Sequence, residues 1–248
     1  MNTRKIRSFD GMQLAVHSMG EGRPVLLLHG LFSSADVNWI KFGHAQKLAD
    51  AGFKAIMPDM RAHGQSDAPH DPAAYPPGVL ASDIMHLAET LELEQFDLVG
   101  FSLGARTAVE AVLAGLAPRR LVLGGMGAEG LSDWEGRSAF FVDAIDRYDE
   151  IKPGDPAFFA KSFMRTMKVD RVAAGLLLKS VKDIAAQDLA RATMPALLVS
   201  GAQDQDNGSA PALADALPDG RYAEVPGNHM SSVTGAEFGE AIVNFLRS

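Results

Sequence analysis

Two periods alternate along the chain. "KIRSF" (5–9) and "MQLAVHSM" (12–19) alternate apolar and polar residues around Asp10-Gly11, the pattern of a β-hairpin. "RPVLLLHG" (23–30) is instead a continuous apolar run, as in a strand buried on both faces. A helical pattern follows over 36–49, then a strand at "FKAIMPD" (53–59). "VLASDIMHLAETLEL" (79–93) repeats its apolar residues every three to four positions, which predicts a helix. The strand "FDLVGF" (96–101), the helix "LGARTAVEAVLAG" (103–115) and the strand "RRLVLGGMG" (119–127) come next. The alternation returns near the end with "PALLVSG" (195–201), a helix at "APALADAL" (210–217), the strand "RYAEV" (221–225) and a closing helix over 236–247. Alternating strands and helices predict a mostly parallel sheet of eight strands with helices on both faces.

Between Glu129 and Met194 the period is helical throughout. Residues 134–148, 156–167, 170–184 and 185–192 read as successive helices with no strand between them. The simplest organisation is a core built from 1–128 and 195–248, with 129–194 inserted after the sixth strand as a small helical cap over the strand ends. The Pro-rich stretch 67–78 reads as a surface loop.

Composition narrows the chemistry. There is no cysteine, which excludes disulfides, thiol catalysis and zinc–thiolate sites. Lys and Arg number 23 against 31 Asp and Glu, for a formal charge of −8. Without a basic cluster a nucleic-acid partner is not expected. No apolar run approaches the ~20 residues that cross a bilayer, and the charged, alternating N-terminus lacks the apolar core of a secretion signal. A cytoplasmic protein acting on a small molecule is expected; oligomeric state is not legible.

The stretch "VGFSLGARTA" (99–108) places Ser102 between Gly100 and Gly104 at a strand–helix junction. A serine there either caps the helix through its hydroxyl or acts as a nucleophile on a sharp turn. The flanking glycines favour the second role, because the turn brings helix and strand backbones close together. Such a serine needs a base and a group that orients the base. Of the seven histidines, only His229, in "VPGNHMSS", follows Ser102. Asp204 and Asp206, in "LLVSGAQDQDNG", stand where an orienting acid would come from the preceding strand's end, although Asp is also a common turn residue. Backbone amides for an oxyanion are expected from Leu103, after the serine, and from the turn after 25–30, with Leu31 first and Phe32 second. His29 is expected to shape that turn by hydrogen bonding.

Together "HGLFSS" (29–34), "PDMRAHGQSD" (58–67), "GFSLGA" (100–105), "VSGAQD" (199–204) and "PGNH" (226–229) resemble the α/β-hydrolase superfamily over essentially the whole chain. The similarity is to its lid-bearing branch of serine esterases, C–C hydrolases and cofactor-free haloperoxidases. It implies the α/β-hydrolase fold with Ser102 as nucleophile, His229 as base and Asp204 as acid, three residues after the strand-end glycine. Asp206 is the fallback, and relatives that take the acid from the sixth strand would point to Glu129. No metal or organic cofactor is implied. Two departures matter. Ala62 stands where this family usually has glycine, and the "H-G-x-G-P-G" loop typical of ring-cleavage C–C hydrolases is absent. Serine at position 102 also argues against the carboxylate-nucleophile chemistry of epoxide hydrolases and haloalkane dehalogenases. The expected activity is hydrolysis of a small to medium apolar carboxylic ester through an acyl-enzyme. Lactone, C–C or perhydrolase chemistry on the same residues, or a weakly catalytic ligand-binding receptor, remain alternatives. Phe140, Phe141, Phe158, Phe159, Phe163, Met164 and Met167 are expected to pack the cap, with a few of them lining the pocket.

Overall fold

The computed structural model describes all residues, 1–248. Its strands are β1 (Asn2–Arg7), β2 (Gln13–Met19), β3 (Arg23–Leu28), β4 (Phe53–Pro58), β5 (Asp97–Phe101), β6 (Leu121–Gly124), β7 (Ala196–Gly201) and β8 (Gly220–Val225). They form one eight-stranded sheet in the order β1-β2-β4-β3-β5-β6-β7-β8. Only β2 runs against its neighbours; the pairs from β4 to β8 are parallel. The helices in chain order are α1 (His44–Asp50), α2 (Val79–Thr90), α3 (Leu103–Leu113), α4 (Ala128–Ser132), α5 (Trp134–Asp146), α6 (Phe158–Thr166), α7 (Arg171–Ser180), α8 (Ala210–Ala216), α9 (His229–Ser232) and α10 (Ala236–Arg247).

The predicted hairpin and all eight strands are present. Central strands such as β3 and β5 are rich in Val and Leu because each face is covered by helices. One apolar layer holds α1 and α10 against the sheet through Trp39, Leu48, Phe238 and Leu246. The opposite layer packs α2, α3 and α8, and runs without a break into α5, α6 and α7 through Trp134, Met164 and Leu177. The helices inserted between β6 and β7 are thus joined to the core by shared burial.

Strand order fixes where a ligand can sit. From β3 the chain crosses to β4 on one side, and β5 lies on the other, with β6 beyond it. The carboxyl ends of β3 and β5 therefore flank the crevice where connections diverge, the preferred ligand position in open α/β sheets. His29-Gly30 leaves β3 there and Ser102 leaves β5.

Several expected elements differ. The helix expected over 36–49 is split into a single wide turn at Asp36–Ile40 and then α1. The break is at Gly43, whose φ of 79° lies in the left-handed region. The helix expected to reach Ile184 stops at Ser180, where Val181 turns extended and Ile184 donates its N–H to the Leu131 carbonyl. The stretch 185–192 forms a 3-10 helix, Ala186–Arg191. No helix is long and apolar enough to cross a membrane.

Candidate active site

β5 delivers Ser102 directly into α3. Its φ of 52° and ψ of −115° are a conformation that L residues rarely hold. The turn is tight because two backbones pass within contact. A Cβ on Gly100 would lie 2.3 Å from the Gly104 carbonyl oxygen, and one on Gly104 would lie 2.2 Å from that of Leu28. The Ser102 amide donates to the Gly124 carbonyl of β6 at 2.9 Å, which anchors the turn to the sheet.

The Ser102 hydroxyl makes no capping bond to α3. Its Oγ lies 3.1 Å from His229 Nε2, and His229 Nδ1 lies 3.0 Å from Asp204 Oδ2. A carboxylate can only accept, so Nδ1 carries the proton and Nε2 is free to accept from the hydroxyl. His229 is the first residue of the short α9. Asn228 caps that helix by accepting from the amides of Met230 and Ser231. This fixes the backbone under the imidazole. Phe101 packs beside the ring at 5.0 Å between centroids. Gly125, with φ 56°, leaves the room that a Cβ would take, 3.0 Å from the ring's Cε1.

Asp204 is buried at the end of β7. Burial alone would push its carboxyl pKa up. The His229 hydrogen bond and charge, the Asp206 amide and the Ser200 hydroxyl outweigh burial and leave it below the ordinary value. Asp206 contributes through its backbone, donating to Asp204 Oδ1 at 3.1 Å. Its own side chain is exposed. Glu129 is directed elsewhere, with Oε2 accepting the Ser209 amide at the start of α8.

The turn after β3 is held from three sides. Asn38 Oδ1 accepts the Gly30 amide at 2.9 Å. His29 Nδ1 donates to the Gly30 carbonyl, while its Nε2 accepts the Met60 amide. The expected turn-shaping role of His29 is what the structure shows. Phe32, the second choice as an oxyanion donor, has its amide committed to His63 Nε2 at 3.0 Å. The Leu31 amide has no acceptor within the protein. The Leu103 amide opens α3, where an N–H has no intrahelical acceptor.

These groups open into a cavity of about 480 Å³ lined by both β-strand ends and the inserted helices. Four of the seven candidate residues, Phe140, Phe141, Phe159 and Phe163, line it. Phe158 and Met164 pack into the core instead. Trp134 and Arg137 of α5 also line the cavity and were not singled out from sequence. Arg106, on α3, was also missed. Its buried guanidinium donates to the carbonyls of Gly130, Leu131 and Lys182 and lies over the Trp134 ring. No spacing signal marks any of the three.

A family model for the alpha/beta hydrolase fold matches residues 23–122. The chain has the α/β-hydrolase fold. An epoxide hydrolase from Caballeronia sordidicola is 38% identical over 104 residues, 42% of this chain and 31% of that protein. The match thus spans under a third of that relative's length. Among solved structures, an esterase from Exiguobacterium antarcticum superposes with a TM-score of 0.80 at 22% identity, covering 100% of both chains. A bromoperoxidase from Bacillus anthracis gives 0.77 at 23% identity, also over 100% of both. At these identities the structural likeness speaks for the fold. Epoxide hydrolase, esterase and bromoperoxidase on one fold make the site, not the fold, the basis for any assignment of activity.

Proposed function

We propose that this α/β hydrolase is a serine hydrolase acting on a small to medium carboxylic ester. The observation that carries this reading is the unbroken line from Ser102 Oγ to His229 to Asp204, at 3.1 and 3.0 Å, opening into an apolar cavity. Ser102 Oγ attacks the ester carbonyl while His229 Nε2 takes its proton. Asp204, held ionised, fixes the Nδ1–H tautomer and stabilises the imidazolium. The amides of Leu31 and Leu103 receive the developing oxyanion. By comparison with deletions of single donors in other hydrolases, each would contribute roughly 2.7–4 kcal/mol. His229 then protonates the leaving alkoxide, and water repeats the cycle to release the acid. The helices over the cavity act as a cap that selects the substrate.

The epoxide hydrolase relative raises a carboxylate-nucleophile alternative. Position 102 supplies a hydroxyl, and Asp204 is engaged behind the imidazole, which supports the ester reading. A fluorophosphonate probe should label Ser102, mapped by mass spectrometry, and Ser102→Ala should abolish both labelling and p-nitrophenyl butyrate turnover while leaving the melting temperature near that of the parent. Full turnover by Ser102→Ala would overturn the assignment.

A further inference from the structure

Two of the cations on the cavity wall differ in their contacts: the Lys41 ammonium lies over the Phe42 ring, whereas the charge of Arg137 is matched by no contact. Arg137, on α5, makes no side-chain hydrogen bond and no ion pair within 4.0 Å, and its Nε is buried without a partner. A guanidinium stays protonated under any physiological condition and offers five donors in a planar fork. Burial pushes its pKa down, while Asp206, Asp133, Asp204 and Glu129 oppose that from beyond pairing distance. Two of these acids are already engaged. Asp204 accepts from His229 and from the Asp206 amide, and Glu129 accepts from Ser209. Asp206 shares the cavity wall but is exposed to solvent.

The two fully buried arginines are held by hydrogen bonds, and Arg120, whose Nε is also buried without a partner, lies over the Phe245 ring away from the cavity. Arg61 pairs with Asp83 and Asp10 and donates to the Ala74 carbonyl, and Arg106 donates to three carbonyls. Arg137 differs in facing the same space as Ser102, among Phe140, Phe141 and Trp134. In such an apolar lining a bound anion gains more from the fork than it would in water.

We propose that Arg137 is an anion subsite, and that the natural substrate is an ester or lactone whose non-reacting end carries a carboxylate. This rests on the serine-hydrolase reading for the reaction but on Arg137 alone for the binding. A monoester of a short dicarboxylic acid meets both needs: its carbonyl at Ser102, its free carboxylate in the guanidinium fork.

The test compares mono-p-nitrophenyl adipate with the same molecule methylated at its free acid, in one preparation of each protein, after subtraction of spontaneous hydrolysis. The parent should favour the free acid in kcat/KM. In Arg137→Gln that acid-to-methyl-ester ratio should fall by about ten- to hundredfold, chiefly through KM. Because the reading is a ratio within one sample, partial misfolding cancels. A second arm needs no turnover: calorimetric titration of monomethyl adipate into Ser102→Ala, which should bind, and into Ser102→Ala/Arg137→Gln, which should bind at least tenfold more weakly. An unchanged ratio, or equal binding by the two proteins, overturns the subsite. If neither ester is hydrolysed but binding still depends on Arg137, the serine-hydrolase reading fails while the subsite stands.

Discussion

His63 accepts the Phe32 amide on Nε2 at 3.0 Å and donates from Nδ1 to the Arg61 carbonyl at 2.9 Å. His29, in edge contact with it at 5.0 Å between ring centroids, does the same between the Met60 amide and the Gly30 carbonyl. Each ring bridges one backbone donor and one acceptor, which only a neutral imidazole can do. A second proton on Nε2 would face an N–H. This pair clamps the turn after β3 against the turn after β4, and so sets the direction of the Leu31 amide.

Stability should therefore fall in acid. Burial and the neighbouring His29 push the His63 pKa down to about 3, from 6.5 when exposed, and His29 is lowered too, chiefly by burial. The sign is that of a depressed group: stability is full above pH ~6.5 and is lost as pH falls toward 3, because the unfolded chain takes up protons that the folded one refuses. Depressed Asp204 acts in the same direction at lower pH. Melting temperature should drop steadily between pH 6.5 and 4, and the slope should be shallower in His63→Asn than in the parent. An equal slope would show that other groups control acid unfolding.

Asp204 and Asp206 should separate sharply in kinetics. Asp204→Asn keeps the shape but can donate to Nδ1, favouring the wrong tautomer, and a loss of about 10⁴-fold in kcat accompanies the equivalent change in another serine hydrolase. Asp206 serves Asp204 through its backbone amide, which substitution retains, so Asp206→Asn should cost under about tenfold. Steady-state rates on p-nitrophenyl butyrate decide this. Comparable losses in both variants would contradict the assigned roles.

What the sequence disclosed followed from period and spacing. The two-sided burial of β3 and β5 writes itself as Val and Leu runs, and the Gly100–Ser102–Gly104 spacing reflects backbone contacts that a Cβ forbids. Such constraints are local, so they survive in one dimension. The α9 cap was less visible, because Asn228 reads equally as a turn residue until its partners Met230 and Ser231 are placed. Arg106 and Arg137 were not legible at all. Their partners, or lack of partners, are decided by residues 24 to 76 positions away or by the shape of a cavity. Phe32 shows the same limit: its amide follows the same turn as that of Leu31, and only His63, 31 residues on, distinguishes them.

The elbow should tolerate no added methyl group. Gly104→Ala would set a Cβ 2.2 Å from the Leu28 carbonyl oxygen, which is central-strand backbone and cannot swing away. Either α3 lifts from the sheet or β3 shifts. Overpacking of this kind costs about 1–3 kcal/mol or more. Denaturant unfolding should show that loss, together with a fall in labelling by the fluorophosphonate probe as Ser102 moves from His229. Parental stability with parental labelling would mean that the helix has slack which the distances do not show.

Arg106 offers a way to loosen the inserted helices from behind the cavity wall, since it contacts the lining only through the Trp134 ring. The guanidinium is 1% exposed and holds the Gly130 and Leu131 carbonyls of α4 and the Lys182 carbonyl beyond α7, while Trp134 of α5 lies against its face. The start of the inserted segment and the stretch after α7 are thus tied to α3, which follows directly on Ser102. Burial lowers its pKa to about 10, so it remains charged at neutral pH. Arg106→Met keeps the stem's packing and removes the donors, leaving three carbonyls without this partner at a cost on the order of 3 kcal/mol. Amide hydrogen exchange should quicken in α4, α5 and the stretch after Ser180, with β3, β5 and α10 protected as in the parent. Substrate selectivity should relax, seen as a smaller spread of kcat/KM across esters of increasing chain length. If exchange instead rises uniformly, the segment is no looser than the rest and Arg106 serves global stability alone.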